Sequence, residues 1–432
     1  MNYNETIDFL FSSLPMYQRT GAAAYKNSLE TTIALDKAHS HPHKNFKTIH
    51  IAGTNGKGSV SHILAAILER SGYKTGLYTS PHLVDFRERI RINGEMIPEA
   101  YVTQYVNTNQ NLIKNLQASF FEMTADLAFQ YFSDEKVDFA VIETGMGGRL
   151  DSTNIISPVL SIITNIGLDH TRFLGNTIQE IAGEKGGIIK QKTPVIIGEY
   201  DKTTADVFRI LSKEKSAEIK FANRIYSCRH SLMGLDRKIS HHISSERHDF
   251  PALITDLQGE YQVRNIITAL AAIEELQQKD ISVTQEAIYE GMSNVTKLTG
   301  LRGRWEEIGY NPLTICDTGH NESGIKDVVS QIRNTAYKKL HIVWGMVSDK
   351  DVHSILKLLP TEAMYYFTRA ALPRSLDEKE LKKAANKIAL KGDSYSSVSK
   401  AFEAAKTNAV PEDLVFIGGS SFVVGEVLGN EE

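Results

Sequence analysis

The stretch Lys47-Thr-Ile-His-Ile-Ala-Gly-Thr-Asn-Gly-Lys-Gly-Ser-Val60 constrains the fold of this chain more than any other. Residues 49–52 are a short β-branched run that reads as a buried strand. Residues 53–58 are a glycine-rich turn, after which Val60, Ile63, Leu64, Ile67 and Leu68 recur at helical spacing. Strand, glycine turn and helix in that order build a phosphate cradle. The glycines let backbone N–H groups approach an anion, and the helix start adds the positive end of its dipole. Lys57 is placed to reach the β- and γ-phosphates, and Ser59 offers a hydroxyl near a bound Mg²⁺. The standard phosphate-loop pattern has Ser or Thr directly after the lysine. Here Gly58 intervenes, which leaves a plain strand-to-helix turn as the alternative.

At 432 residues the chain has room for two or three domains of about 100–200 residues each. A net charge of −4, with both signs interleaved, argues against nucleic acid or a membrane surface as the main partner. The cysteines, Cys228 and Cys316, are too few and too far apart for a disulfide framework or a zinc site, as expected in a reducing cytoplasm. The start of the chain carries Asp8 beside Phe9-Leu10-Phe11 without a basic lead, so it is not read as a secretory signal. No apolar run approaches the roughly 20 residues of a membrane span.

Residues 4–14 and 28–38 read as helices. His39, His41 and His43 alternate around Pro42, in a pattern that suits a loop better than a metal site. Residues 75–79 read as a strand ended by Ser80-Pro81. Arg87, Arg89 and Arg91 alternate as though on one basic strand face, before the turn Asn93-Gly94. Residues 99–132 are largely helical, with a break near 119–124. A strand over 137–142 then sets Glu143 at its carboxyl end, where open α/β sheets bind ligands. An acid there can hold Mg²⁺ or merely cap a turn. The dinucleotide fingerprint suggested by Gly145-Met-Gly-Gly148 fails at Leu150.

A strand over 159–164 leads to Asn165-Ile-Gly-Leu-Asp169-His170, with His170 either structural or a ligand. The helix 177–185 ends in Lys185, which by itself suits a helix C-terminus. Residues 201–250 read as an irregular surface excursion. Asn265, near the start of a helix over 266–276, is either a cap or a base-reading amide. Residues 293–303 read as a linker. Beyond them strands at 313–317, 340–344, 364–368 and 414–417 alternate with helices, giving a second, smaller α/β unit. The fold class expected is therefore α/β: a phosphate-loop ATPase domain with a mostly parallel sheet, residues 1–295, followed by a Rossmann-like domain, residues 296–432.

Several motifs stand in one order along most of the chain. They are Gly53-Thr-Asn-Gly-Lys-Gly-Ser59, Ser80-Pro-His-Leu83, Phe86-Arg-Glu-Arg-Ile-Arg-Ile-Asn-Gly94 and Glu143-Thr-Gly-Met-Gly-Gly-Arg-Leu-Asp151. Asn165 to His170, Glu184-Lys185, Gln262 with Asn265, Gly303-Arg304-Trp305 and Asp317-Thr-Gly-His-Asn321 continue the series. Together they resemble the folylpolyglutamate synthase and dihydrofolate synthase family of the Mur ligase superfamily.

The resemblance implies that Gly53, Thr54, Asn55, Gly56, Lys57, Gly58 and Ser59 cradle ATP. It implies two Mg²⁺ ions, one on Ser80 and Glu143 and a second on His170, with Lys185 carbamylated into an oxygen ligand. Asn265 would touch adenine, Arg304 the phosphates and Asp317 the ribose. Phe121, Asp151, Thr153 and His320 would contact substrate. Two departures, Glu184-Lys-Gly-Gly187 and Asp317-Thr-Gly-His-Asn321, alter loop shape more than chemistry.

The implied reaction is ATP-dependent amide formation through an acyl phosphate, joining L-glutamate to dihydropteroate, to folates, or to both. The 119–124 segment resembles that of the bifunctional members. A cytoplasmic, monomeric enzyme acting on small molecules follows from the same resemblance. The rival readings are a Mur-type ligase of a UDP-sugar acid, a simple phosphate-loop kinase, and a non-enzymatic nucleotide switch.

Overall fold

The structure, a computed structural model, describes residues 1–16, 28–348 and 350–430. The strands of the described residues form three sheets. The largest contains β1 (Lys47–Ala52), β2 (Thr75–Tyr78), β3 (Ile90–Ile92), β4 (Glu95–Met96), β5 (Phe139–Glu143), β6 (Leu160–Ile163), β7 (Val195–Ile197) and β8 (Ile219–Phe221). The spatial order is β4-β3-β2-β5-β1-β6-β7-β8. β1 pairs in parallel with β5 on one side and β6 on the other, while β3 and β4 add an antiparallel edge. A central parallel strand is covered on both faces, which is why β1 is buried from Thr48 onward.

Ile49 and Ile51 of β1 share a core with the helix Lys57–Arg70, whose residues from Ser59 to Leu68 are all buried. That helix is packed by two others, Gln262–Gln277 and Gln285–Ser293. A second core joins β2 and β5 to the helix Phe120–Asp134, whose start is fixed by a capping box between Ser119 and Glu122.

By contacts the chain divides into two units. The first comprises Met1–His82, Phe86–Leu257 and Tyr261–Leu301; the second comprises Leu83–Asp85, Gln258–Glu260 and Arg302–Glu432. The junction lies between Leu301 and Arg302, beyond the boundary expected at residue 295. The intervening residues are not a linker. Val295–Thr299 is a helix, and Val295 and Leu301 are buried in the first unit's core.

The second unit has its own sheet of β12 (Glu306–Tyr310), β13 (Leu313–Cys316), β14 (Leu340–Trp344), β15 (Met364–Phe367), β16 (Lys391–Ser394) and β17 (Leu414–Gly418). Their order is β12-β13-β17-β14-β15-β16, parallel apart from β12.

Other expectations are corrected. Residues 201–250 are ordered: a helix, Lys202–Glu214, precedes β8, and a three-stranded antiparallel sheet follows it. That sheet is β9 (Ser227–Met233), β10 (Ile239–Ser244) and β11 (Asp249–Thr255). Arg87, Arg89 and Arg91 share no basic strand face, because Phe86–Arg89 is a 3₁₀ turn. Arg89 points inward, donates to His82 Nδ1 at 2.7 Å and lies over the Phe120 ring. The histidines around Pro42 pair with aspartates. Asp36 faces His41 and His43 at 2.5 and 2.6 Å, and Asp126 faces His39 at 2.7 Å.

Candidate functional site

The turn between β1 and its helix is held open by two glycines. Gly53 has φ +152°, and a Cβ there would lie 1.8 Å from Thr164 Oγ1. Gly56 has φ +82°, in the left-handed region that side chains resist, and a Cβ there would lie 2.2 Å from Asn265 Oδ1. The loop after β6 braces the turn. Asn165 Oδ1 accepts from Asn55 N–H at 2.8 Å, Thr164 Oγ1 donates to the Asn55 carbonyl at 2.5 Å, and Gly167 N–H donates to Thr54 Oγ1 at 2.9 Å. Ser59 sits in the first turn of the helix with its Oγ buried and no hydrogen-bond partner among the described residues.

Charge gathers at this turn. Lys57 Nζ donates to the carbonyls of Gly53 and Thr54 at 3.2 and 3.3 Å and lies 4.0 Å from Glu143 Oε1. The other Glu143 oxygen accepts from Ser80 N–H at 3.1 Å, so two neighbouring strand ends meet at this carboxylate. Lys185, buried on the helix Ile178–Gly186, also donates to the Gly53 carbonyl, at 2.8 Å. Burial, and next the charge of Lys57, push the Lys185 ammonium down to about 7. His170 adopts a left-handed backbone at φ +50°, and its Nε2 lies 4.0 Å from Asp169 Oδ2. Among the described residues no group of three or more His, Cys, Asp or Glu side chains stands assembled for a metal.

Beside this turn the loop after β5 carries Asp151. Its carboxylate accepts from Met146 N–H at 2.9 Å, Thr153 N–H at 3.0 Å and the Thr153 hydroxyl at 2.6 Å. Burial raises the Asp151 carboxyl above its ordinary range against these hydrogen bonds. The Phe121 ring lies over Gly145, where a Cβ would approach it to 2.5 Å. Asn265 lies inside the helix Gln262–Gln277, whose N-cap is Tyr261, so it is no cap. Its amide donates to Gln262 Oε1 at 2.7 Å against the Gly56 turn.

The first unit thus gathers Gly53 to Ser59, Ser80, Glu143, Lys185 and Asn265 around one turn. In the second unit Asp317 follows β13 and accepts from Trp305 N–H at 2.8 Å and Gly319 N–H at 2.7 Å. Arg304 Nη1 donates to the Gly303 carbonyl at 3.2 Å, and His320 Nδ1 is 3.0 Å from the Thr318 carbonyl. Sequence reasoning passed over Asn165 and His50. A histidine inside a central strand buried on both faces was itself a signal, because such strands are otherwise apolar.

Residues 51–273 match the Mur ligase middle domain, and residues 303–421 match the Mur ligase, glutamate ligase domain. The folylpolyglutamate synthase of Lacticaseibacillus casei is 31% identical over 438 residues, covering 99% of this chain and 98% of that protein. A probable bifunctional folylpolyglutamate synthase/dihydropteroate synthase of Haloferax volcanii is 30% identical over 440 residues; the chain spans 50% of its length. The structure of E. coli FolC in complex with DHPP and ADP aligns over 100% of this chain and 98% of that one, at 26% identity and a TM-score of 0.85. A bifunctional folylpolyglutamate synthase/dihydrofolate synthase with Mn, AMPPNP and L-glutamate bound aligns equally well, at 26% identity and a TM-score of 0.85 over 100% of this chain and 98% of that one.

Proposed function

Because this chain belongs to the folylpolyglutamate synthase/dihydrofolate synthase family of Mur-type, ATP-dependent ligases, we propose that it joins L-glutamate to dihydropteroate and to folates. The carrying observation is the convergence of Lys57 and Lys185 on the Gly53 carbonyl beside Glu143, at the start of a buried helix. Two ammonium groups on one acceptor make a site that wants anions. A nucleotide's phosphates and a carbamate on Lys185 supply them. The lowered Lys185 ammonium supports that carbamate, since only the neutral amine adds to carbon dioxide.

The donor set also suits divalent metal. Ser59 Oγ is an orphaned oxygen at the head of the helix, and Glu143 is an acid at a strand end. Ser80, Glu143, His170 and carbamylated Lys185 would hold two Mg²⁺ ions, which when bound neutralise charge on the phosphoryl oxygens. The reading has the substrate carboxylate attack the γ-phosphorus in line, yielding an acyl phosphate and ADP. The amine of glutamate then attacks the acyl carbon and expels phosphate. Lys57 and Arg304 stabilise the transferred group, Asn265 and Asp317 hold the nucleoside, and Phe121, Asp151, Thr153 and His320 line the substrate sites.

Cys228 and Cys316 are not joined in a disulfide, which supports a cytoplasmic setting. No described helix is long and apolar enough to cross a membrane.

Phosphate release measured with dihydropteroate, tetrahydrofolate or a UDP-muramoyl acid, each with and without L-glutamate, tests the reading. Turnover is expected with the two pterin substrates and only when glutamate is present. Turnover without an amino acid would make the protein a kinase, and turnover on the UDP-sugar acid alone would make it a different ligase.

A further inference from the structure

His50 lies in β1, fully buried, on the strand that leads into the phosphate turn. Its Nε2 is 2.8 Å from Thr153 Oγ1, which is 2.6 Å from Asp151 Oδ1. The proton count along this chain is fixed by its end. Asp151 Oδ1 accepts the Thr153 N–H and also the single Thr153 hydroxyl proton. Thr153 Oγ1 must then accept from His50, which requires the proton on Nε2. His50 Nδ1 is left bare, buried and without a partner among the described residues.

Leaving a buried ring nitrogen unpaired costs stability, and an apolar side chain of similar shape would avoid that cost. The cost is offset by what the other nitrogen does. Thr153 Oγ1 has both roles filled within the protein, and Asp151 Oδ1 is held by the Thr153 hydroxyl and the Thr153 N–H together. The remaining oxygen, Oδ2, takes Met146 N–H at 2.9 Å and so ties down the loop that carries Gly145 under Phe121.

We propose that His50 is a positioning residue: through the Thr153 hydroxyl it fixes Asp151, and with it the 145–151 loop, in the orientation that receives the pterin end of the acid substrate. The proposal rests on the ligase reading for the identity of that substrate. The relay itself rests only on the geometry. Burial holds His50 neutral, down to about 3, so the relay keeps one proton arrangement throughout the working range. Thr153 on this account lines the substrate site with its hydroxyl already engaged within the protein, between His50 and Asp151.

Two measurements test it. In the free protein, ¹⁵N-resolved imidazole spectra are expected to show His50 as the Nε2–H tautomer; an Nδ1–H tautomer would overturn the relay whatever the substrate proves to be. In steady-state assays His50→Leu is expected to raise KM for the pterin acid about tenfold or more, with KM for ATP within about twofold. Thr153→Val should reproduce this effect from the middle of the relay. His50→Gln, whose amide can donate to Thr153, should recover most of the loss. A uniform fall in kcat with both KM values displaced alike, or a His50→Leu enzyme with unchanged KM, would overturn the positioning role. If the wild-type protein turns over no pterin acid, the ligase reading fails while the tautomer measurement still decides the relay.

Discussion

Lys57, at the start of the helix after β1, and Lys185, on a helix remote in sequence, donate to the same acceptor, the carbonyl of Gly53, at 3.2 and 2.8 Å. Like charges held this close repel, and burial strengthens the repulsion. The arrangement is stable only if one lysine gives up its charge or an anion arrives, so each makes a separate prediction.

Lys57→Ala should abolish glutamate-dependent ADP release, by about 100- to 1,000-fold for loss of one preorganised cationic donor. Its thermal midpoint should not fall, because a cation is removed from beside Lys185. Turnover near the wild-type rate would remove the phosphate role from this lysine.

Lys185→Ala should lose most activity and regain part of it when acetate or formate is added in place of the missing carbamate. In the unmodified enzyme the Lys185 amine becomes increasingly protonated as pH falls below about 7, so carbamate formation should fade there. Added bicarbonate should shift the acid limb of the rate profile to lower pH. A fully active Lys185→Ala protein would end the carbamate account.

Ser59→Ala removes a buried hydroxyl that has no hydrogen-bond partner among the described residues, so stability should hold or rise by up to about 1 kcal/mol. The Mg²⁺ concentration for half-maximal rate should nonetheless increase severalfold. Titrations of rate against Mg²⁺ that superimpose for the two proteins would show that the hydroxyl has no part in holding the ion.

His39 sits 2.7 Å from Asp126, which raises the imidazolium above its ordinary value of 6.5. A folded value above the unfolded one means that protonation favours the fold. The contribution is complete below about pH 6.5 and disappears as pH rises through the raised value. Urea denaturation of the wild type and His39→Gln should therefore differ more at pH 6 than at pH 8. An identical difference at both values would assign the pair no role in stability.

The phosphate turn was legible because everything that defines it is local: strand, glycines, lysine and helix follow within residues 47–70. Glu143 was legible for a similar reason, as an acid ending a β-branched run. The place of Lys185 was not, since its partner, the Gly53 carbonyl, is remote in sequence and the residue equally suits a helix end. The sheet of β9 to β11 escaped notice because β9 is exposed along nearly its whole length, so no apolar alternation marks it. The helix Lys202–Glu214 packs Val207, Phe208 and Leu211 on the core beside β7, a stripe of only three apolar residues among polar neighbours that is easily read as surface. The arginine triplet misled because a 3₁₀ turn, with its three-residue period, stands where alternation suggested a strand.

The second unit is discontinuous in sequence, and this limits how the polypeptide can be dissected. Gln331 is buried with its amide spent on outlying segments: Oε1 accepts Glu260 N–H at 2.8 Å, and Nε2 donates to the Gln258 carbonyl at 3.1 Å. The carbonyl of Leu83 lies so near Gly425 that a Cβ there would come within 2.4 Å of it. A fragment beginning at Arg302 would leave both segments behind, stranding an amide and baring the apolar surface that Leu83 covers. Such a truncation should aggregate, whereas co-expression with the remaining N-terminal portion should yield a non-covalent pair that purifies as one species.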